Sequence, residues 1–250
     1  MRINKINRLV VLQHIGREGP GLFLDIAREN NLNIKLVRLY LGERIPTPCK
    51  EDIFLSLGGP MGIQDIGNTN YKLLDEEVEL IKKILISNIP FIGVCLGAQL
   101  LAFAAGGNVT PLLDSNTNTP KAEIGWYPIK IVDPIMKNIF LCDGNKSLYS
   151  LHWHSDRILL PCSAELIATS ARCREQMFHI GKYAYGLQFH MEIESKDIHK
   201  WIKEDVEFIE KNLGEQGCQE LHIQSSLYCK STRRYRIEFI RRLFANIINN

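Results

Sequence analysis

No run in this chain approaches the ~18 consecutive apolar residues that a membrane-spanning helix needs. The N-terminal segment MRINKINRLVVLQHIG carries an apolar run of only Leu9–Leu12, short of the roughly 7–15 residues of a signal-peptide core. Neither charge sign dominates: 30 Lys and Arg face 28 Asp and Glu, a formal net charge of +2. No global field therefore points to nucleic acid. Cysteine is sparse, odd in number and never in a C-x-x-C pair: positions 49, 95, 142, 162, 173, 218 and 229. That argues against a disulfide scaffold or a zinc knuckle and for a reducing compartment. Internal repeats and low-complexity segments are absent, and so is the phosphate-cradling G-x-x-x-x-G-K-[ST]. What remains is a chain expected to be soluble and cytoplasmic. Its 250 residues, 45% hydrophobic, are enough for one large core.

The stretch Pro90–Gly107, PFIGVCLGAQLLAFAAGG, stands out among what is present. Phe91–Val94 reads as a buried strand and Leu96–Ala105 as a buried helix, with no loop sequence between them. A strand that becomes a helix within a residue or two must turn sharply. Gly93 and Gly97, two before and two after Cys95, keep the adjoining backbones from clashing. This is the nucleophile-elbow pattern with cysteine at the apex. It sets Cys95 at a helix N-terminus, where free N–H groups favour a thiolate.

Around it, short apolar strands alternate with helices. Arg8–His14, Ile34–Leu39, Ile53–Leu57 and Pro90–Val94 read as strands, Leu22–Glu29 and Tyr71–Ser87 as helices. In the second helix Leu74, Val78, Ile81 and Leu85 fall on one face. Such alternation implies an α/β fold with a central, mostly parallel sheet covered on both faces. Functional groups then gather beyond the C-terminal strand ends. Gly58-Gly59-Pro60 and Cys95 both lie there. Past the polar loop Asp114–Pro120 come β-like runs at Ile124–Val132, Ser147–Leu151, Glu165–Ser170, Gln176–Ile180 and Tyr183–His190, a mixed or antiparallel extension. Ser195–Leu213 reads as one helix, Gly214–Gln219 as a linker and Arg234–Ile248 as a terminal helix. The Lys230–Arg242 segment is rich in arginine and reads as a solvated helix face over an apolar stripe, with a nucleic-acid or anionic-partner surface as the alternative. One domain is expected over 1–250, with a core at about 8–193 and a helical extension over 194–250.

A cysteine nucleophile needs a base, an orienting group and an oxyanion hole. His190 and Glu192, at i and i+2 of an extended segment, share a face and come within hydrogen-bonding reach. Glu192 can hold the imidazole in one tautomer. The oxyanion hole has candidates in the Leu96 N–H, directly after the nucleophile, and in the Gly58-Gly59 turn.

Taken in order, Gly58-Gly59-Pro60, Gly93-Val94-Cys95-Leu96-Gly97-Ala98-Gln99 and Gln188-Phe189-His190-Met191-Glu192 resemble a class I (triad) glutamine amidotransferase domain over roughly Val10–Glu192. Gly125-Trp126-Tyr127-Pro128 and His152-Trp153-His154-Ser155-Asp156 are similar to the stand-alone proteins related to the GMP synthase glutaminase domain. The resemblance implies a flavodoxin-like fold, attack of Cys95 on the glutamine carboxamide, and a γ-glutamyl thioester. It implies proton transfer by His190, orientation by Glu192, and contacts from Gln99, His154, Ser155 and Asp156 to the amino-acid end of glutamine. Met191 stands where that family usually has Pro, with its side chain expected to face away from the chemistry.

His152-Trp153-His154-Ser155-Asp156 also resembles the start of a metallo-β-lactamase-type site. That pattern continues with His where this chain has Arg157, and no later set completes it. No catalytic metal and no cofactor are expected, although spacing alone admits an open three-ligand zinc site. Three functions stay open. The first is a glutaminase supplying ammonia to a separate synthase. The second is a stand-alone hydrolase of γ-glutamyl peptides or amides, and the third a binding protein that kept the fold. No Ser-Gly-Gly-x-Asp-Ser segment of the GMP synthase kind is present, and 58 residues follow Glu192. Any amide transfer is therefore expected on another polypeptide, or else the chain is a hydrolase without transfer, with a small-molecule substrate and no membrane or nucleic-acid partner.

Overall fold

Every residue from Leu9 to Gln13 is buried, and the two faces of this strand enter different apolar clusters. The computed structural model describes residues 6–141 and 148–249. Cys142, and Ser147 at the expected start of one strand, lie outside them. In β1 (Arg8–Gln13), Leu9 and Val11 face one layer while Val10 and Leu12 face the other, as alternation in a strand requires. Helix α1 (Leu22–Glu29) covers the first face. Strand β2 (Asn33–Arg38) is the largely exposed edge, and β3 (Asp52–Ser56) pairs on the other side of β1. Helix α2 (Lys72–Ser87) packs Leu74, Val78 and Ile81 onto the second face, with Leu85 of the expected stripe only partly buried. It is pinned there by buried Glu77, which accepts a 2.6 Å hydrogen bond from Ser56 and lies 2.7 Å from His14. Strand β4 (Phe91–Val94) runs into α3 (Leu96–Ala104) through Cys95 alone.

There follow β5 (Asn108–Pro111), β6 (Glu123–Ile131), α4 (Pro134–Phe140), β7 (Leu148–His154), β8 (Asp156–Leu159), β9 (Ala164–Thr169), β10 (Met177–Ile180) and β11 (Ala184–Leu187). Among the described residues nine strands form one sheet in the order β2-β1-β3-β4-β11-β10-β9-β6-β7, while β5 and β8 make a small antiparallel ribbon. The first five are parallel neighbours and the remaining pairings are antiparallel. This is the expected α/β fold with its mixed extension. The C-terminal ends of β1, β3, β4 and β11 lead into His14, Gly58, Cys95 and His190, so four segments converge on one rim.

After the sheet come helices α5 (Ser195–Glu204), α6 (Val206–Leu213), α7 (Gly217–Ser231) and α8 (Arg233–Ile248). The single helix expected over Ser195–Leu213 breaks at Asp205, whose backbone leaves the helical region (φ −116, ψ 28). Its carboxylate takes two 2.6 Å bonds from Arg17 and one of 2.9 Å from Trp153 Nε1, which accounts for the break. The expected linker at Gly214–Gln219 shrinks to a turn before α7, which apolar periodicity did not reveal. Its inward stripe is Gly217, Leu221, Ser225 and Cys229, mostly small or polar, and it lets α7 lie close on β6. There Ser225 accepts from Trp126 Nε1 at 3.1 Å.

The basic segment is also corrected. Arg233, Arg241 and Arg242 pair with surface carboxylates, but Arg236 is 1% exposed and occupies the first position of the apolar stripe of α8. Phe239, Ile240, Leu243, Phe244 and Ile247 face inward as expected. Among the described residues no helix is long and apolar enough to cross a membrane. The six described cysteines are all free.

Candidate active site

Cys95 has φ +51 and ψ −107, a backbone conformation that L-residues rarely adopt. The surroundings enforce it. Its N–H donates to Leu187 O at 2.8 Å, still in sheet register, while its carbonyl already accepts from Ala98 and Gln99 at 3.0 and 3.1 Å, the first bonds of α3. One residue thus closes the strand and opens the helix. A Cβ on Gly93 would overlap the Gly97 carbonyl, and one on Gly97 would overlap Ser56 O. The spaced glycines are demanded by contact between three backbones.

Strand β11 stops at Leu187, shorter than the expected Tyr183–His190. His190 is then held by an N–H bond of 2.8 Å to Leu151 O, an isolated bridge to β7. His190 Nδ1 donates to Glu192 Oε1 across 2.7 Å, and both side chains are buried. The edge of Trp201 packs against the imidazole at 4.9 Å. Burial opposes a charged ring here. The Glu192 carboxylate and the hydrogen bonds to Cys95 and Glu192 outweigh it, and hold the His190 pKa well above its ordinary value. Met191 faces the apolar cluster beneath the sheet, as expected.

A cavity of ≈ 300 Å³ opens over this rim. Cys95, Leu96, Gly59, Gln99, His190, His154, Ser155 and Asp156 line it, joined by Arg17, Glu18, Trp153 and Asp205. Gly58 abuts it: a Cβ there would lie 3.3 Å from His190 Cε1 and 3.4 Å from Cys95 Cβ, and would overlap the Glu18 carboxylate. Glu192 sits behind His190, outside the lining. Gln99 donates to Gln188 Oε1 at 3.3 Å, and Gln188 donates to Cys95 Sγ at 3.6 Å, so Gln99 reaches the thiol through a relay. Ser155 is exposed at the mouth. Asp156 is partly buried, and desolvation raises its pKa against the pull of His154. Both His154 ring nitrogens are engaged inside the protein: Nδ1 with Asp156 O at 2.8 Å, Nε2 facing Glu123 Oε2 at 3.2 Å. His154 shapes the loop that carries Ser155 and Asp156.

An elbow cysteine, a His–Glu pair and a glycine turn converge on one pocket, in the order of the motifs in the chain. The family described as Glutamine amidotransferase class-I matches residues 24–207. The chain belongs to that family. It is similar to the glutamine amidotransferase-like protein YfeJ of Salmonella typhimurium, 30% identical over 188 residues, covering 74% of this chain and 75% of that one. It is also 35% identical over 143 residues to a glutamine-hydrolyzing GMP synthase subunit of Methanothermobacter thermautotrophicus, covering 56% of this chain and 64% of that one. A crystal structure of a glutamine amidotransferase from Thermotoga maritima superposes with a TM-score of 0.81 at 29% identity, over 98% of this chain and 99% of that one.

The amidotransferase pocket holds residues that the motifs did not announce. Glu18 is 7% exposed and faces the Cys95–His190 space. Burial raises its pKa, His190 and Arg17 pull it back, and Glu192 adds to the rise. A charged Arg17-Glu18 pair just past the end of β1, at the rim shared with Gly58 and Cys95, was a usable signal. Arg236 had none. From α8 it donates to Met191 O at 2.9 Å and Ile193 O at 2.5 Å, the carbonyls on either side of Glu192, and to Cys229 O at 2.7 Å.

Proposed function

We propose that this amidotransferase hydrolyses the side-chain amide of glutamine at Cys95 and releases ammonia for a separate synthase. The carrying observation is Cys95 at a strained elbow, lining one pocket with His190, whose Nδ1 is 2.7 Å from the Glu192 carboxylate behind it. Cys95 passes its thiol proton to His190 Nε2, and Sγ attacks the carboxamide carbon. The oxygen gathers negative charge beside the Leu96 N–H and the Gly58-Gly59 turn. His190 carries a proton readily, because Glu192 favours its cation. It gives the Nε2 proton to the departing nitrogen, the C–N bond breaks, and ammonia leaves a γ-glutamyl thioester. His190 then takes a proton from water, whose oxygen attacks the thioester, and glutamate and the free thiol result. No cofactor enters these steps.

The carboxylates of Glu18 and Asp156 suit the α-ammonium of glutamine, with Gln99, His154 and Ser155 shaping that end of the pocket. Likeness to a GMP synthase glutamine-hydrolyzing subunit supports a synthase on another polypeptide as the acceptor. A reducing compartment such as the cytoplasm suits a free essential thiol. The test is ammonia release from glutamine and a panel of γ-glutamyl compounds, with and without an ATP-dependent synthase. Glutamine should be hydrolysed, faster with the synthase, and not by Cys95→Ala. Rapid turnover of γ-glutamyl peptides by the isolated chain, with glutamine a poor substrate, would instead establish a stand-alone hydrolase.

A further inference from the structure

Behind the pocket wall, which His154 helps to line, lies a second polar cluster that takes no part in the proposed bond-making and proton-transfer steps. Residues His152 and His154 project from one face of β7, at i and i+2. Glu123 stands directly opposite His154 in the antiparallel β6 register. Gln176, just before β10, completes the group. Exposure is 1% for Glu123, 0% for His152, 3% for His154 and 0% for Gln176. We propose that these four residues form a closed site for one divalent transition-metal ion, with zinc the fitting occupant.

The donor atoms of Glu123, His152 and His154 all lie within 4.8 Å of one another. Glu123 Oε2 is 3.2 Å from His154 Nε2 and 3.5 Å from His152 Nδ1. A tetrahedral zinc ion with bonds of about 2.0–2.1 Å has ligand–ligand edges of about 3.3–3.4 Å.

Proton placement points the same way. His154 Nδ1 lies 2.8 Å from Asp156 O, and a carbonyl only accepts, so Nδ1 carries the hydrogen. The Nε2 of a neutral ring then turns a lone pair toward the Glu123 carboxylate. A cation between them removes the repulsion. A proton on Nε2 would also remove it, but would leave His152 Nδ1 unsatisfied. Among the described residues, His152 Nδ1 and Gln176 Oε1 have no hydrogen-bond partner. Buried polar atoms of this kind are rare and costly. A metal takes His152 Nδ1 as a ligand directly. Gln176 Nε2 is now 2.8 Å from Glu123 Oε2 and 3.5 Å from His154 Nε2. Turning the amide end for end puts Oε1 in that place as the fourth ligand. That turn gives up the 3.2 Å bond from Nε2 to the Ser170 hydroxyl, whose own hydrogen goes to Cys173 O.

Two imidazoles, a carboxylate and an amide oxygen suit zinc better than calcium or magnesium, which take oxygen alone. With no face open to solvent, the ion is structural. It ties β6 to β7 directly beneath the Trp153–Asp156 wall, whose Trp153 O lies 3.9 Å from Cys95 Sγ.

The test uses untagged protein produced in zinc-supplemented medium. Elemental analysis should find about one zinc per chain, and X-ray absorption should give a nitrogen and oxygen shell without sulfur. After chelation, cobalt(II) should return visible bands lacking thiolate charge transfer. His152→Ala and Glu123→Gln should each weaken cobalt binding by about 100-fold or more, beyond the ~10–100-fold typical of losing an outer-shell partner. Protein that takes up no metal, a sulfur shell, or unchanged affinity in a folded His152→Ala variant would each overturn the site. The absorption measurement needs only the wild-type chain, so a variant that fails to fold does not remove the test.

Discussion

Arg236 and Met191, 45 positions apart, meet through a 2.9 Å hydrogen bond from guanidinium to carbonyl. The same nitrogen reaches Ile193 O, so the backbone on both sides of Glu192 hangs from one buried cation. Replacing Arg236 with Leu strands three carbonyls, those of Met191, Ile193 and Cys229. Leaving a buried acceptor unpaired costs about 1–3 kcal/mol. Thermal denaturation should show Arg236→Leu as one of the most destabilised single variants of the chain. A shift within about 1 °C of wild type would mean that Arg236 holds nothing.

His190 and Glu192 should behave unequally. His190→Ala should lose at least ~10³-fold in turnover, the scale of a missing triad base. Glu192→Gln should retain more, because the amide still accepts from Nδ1–H. Folded His190 has a pKa well above its ordinary 6.5, so the folded chain holds that proton more tightly than the unfolded chain. This contribution to stability is complete below pH 6.5 and fades as pH rises through the folded value. Glu192→Gln removes the charge that raises it. The variant's Tm should therefore fall less between pH 6.5 and mildly alkaline pH than wild-type Tm does.

Two glycines should separate fold from chemistry. Gly97→Ala drives a methyl into the Ser56 backbone and should cost more than ~3 kcal/mol, appearing as insoluble or unfolded protein. Gly58→Ala meets the end of a Glu18 side chain, which can move, so the chain should fold. Its methyl fills space between Cys95 and His190, and ammonia release should drop steeply. Wild-type rates in Gly58→Ala would show that the turn lies outside the substrate's path.

Glu18 trades stability for its place in the pocket. Its folded pKa lies above its ordinary 4.5, so its stabilising contribution is complete below that value and is lost as pH climbs through the folded pKa. At neutral pH the buried charge costs stability. Glu18→Gln should therefore raise Tm at pH 7–8 relative to wild type. A lower Tm would reverse the electrostatic reading.

The half of the fold that carries Cys95 was legible because each of its strands is a short apolar run closed by glycine or a polar turn. The elbow was legible because Gly93 and Gly97 sit where backbones touch. The His190–Glu192 pair follows from side-chain alternation alone, although regular strand ends at Leu187. Other features depend on distant partners. Asp205 breaks a helix for Arg17, 188 positions away. Helix α7 turns small and polar residues inward because β6 lies so close. Arg236 reads as surface charge until Met191 and Ile193 are brought to it. Glu123 joins His152 and His154 only through the register of β6 on β7, which local pattern does not specify.

The central claim is that Cys95 is the nucleophile that attacks a glutamine-like amide. It is tested most directly by treating the protein with a glutamine-like chloroketone or diazoketone and mapping the adduct by mass spectrometry. A single adduct on Cys95, prevented by glutamine and accompanied by loss of ammonia release, is the predicted result. An adduct elsewhere that persists in Cys95→Ala, or ammonia release that survives that substitution, would contradict it.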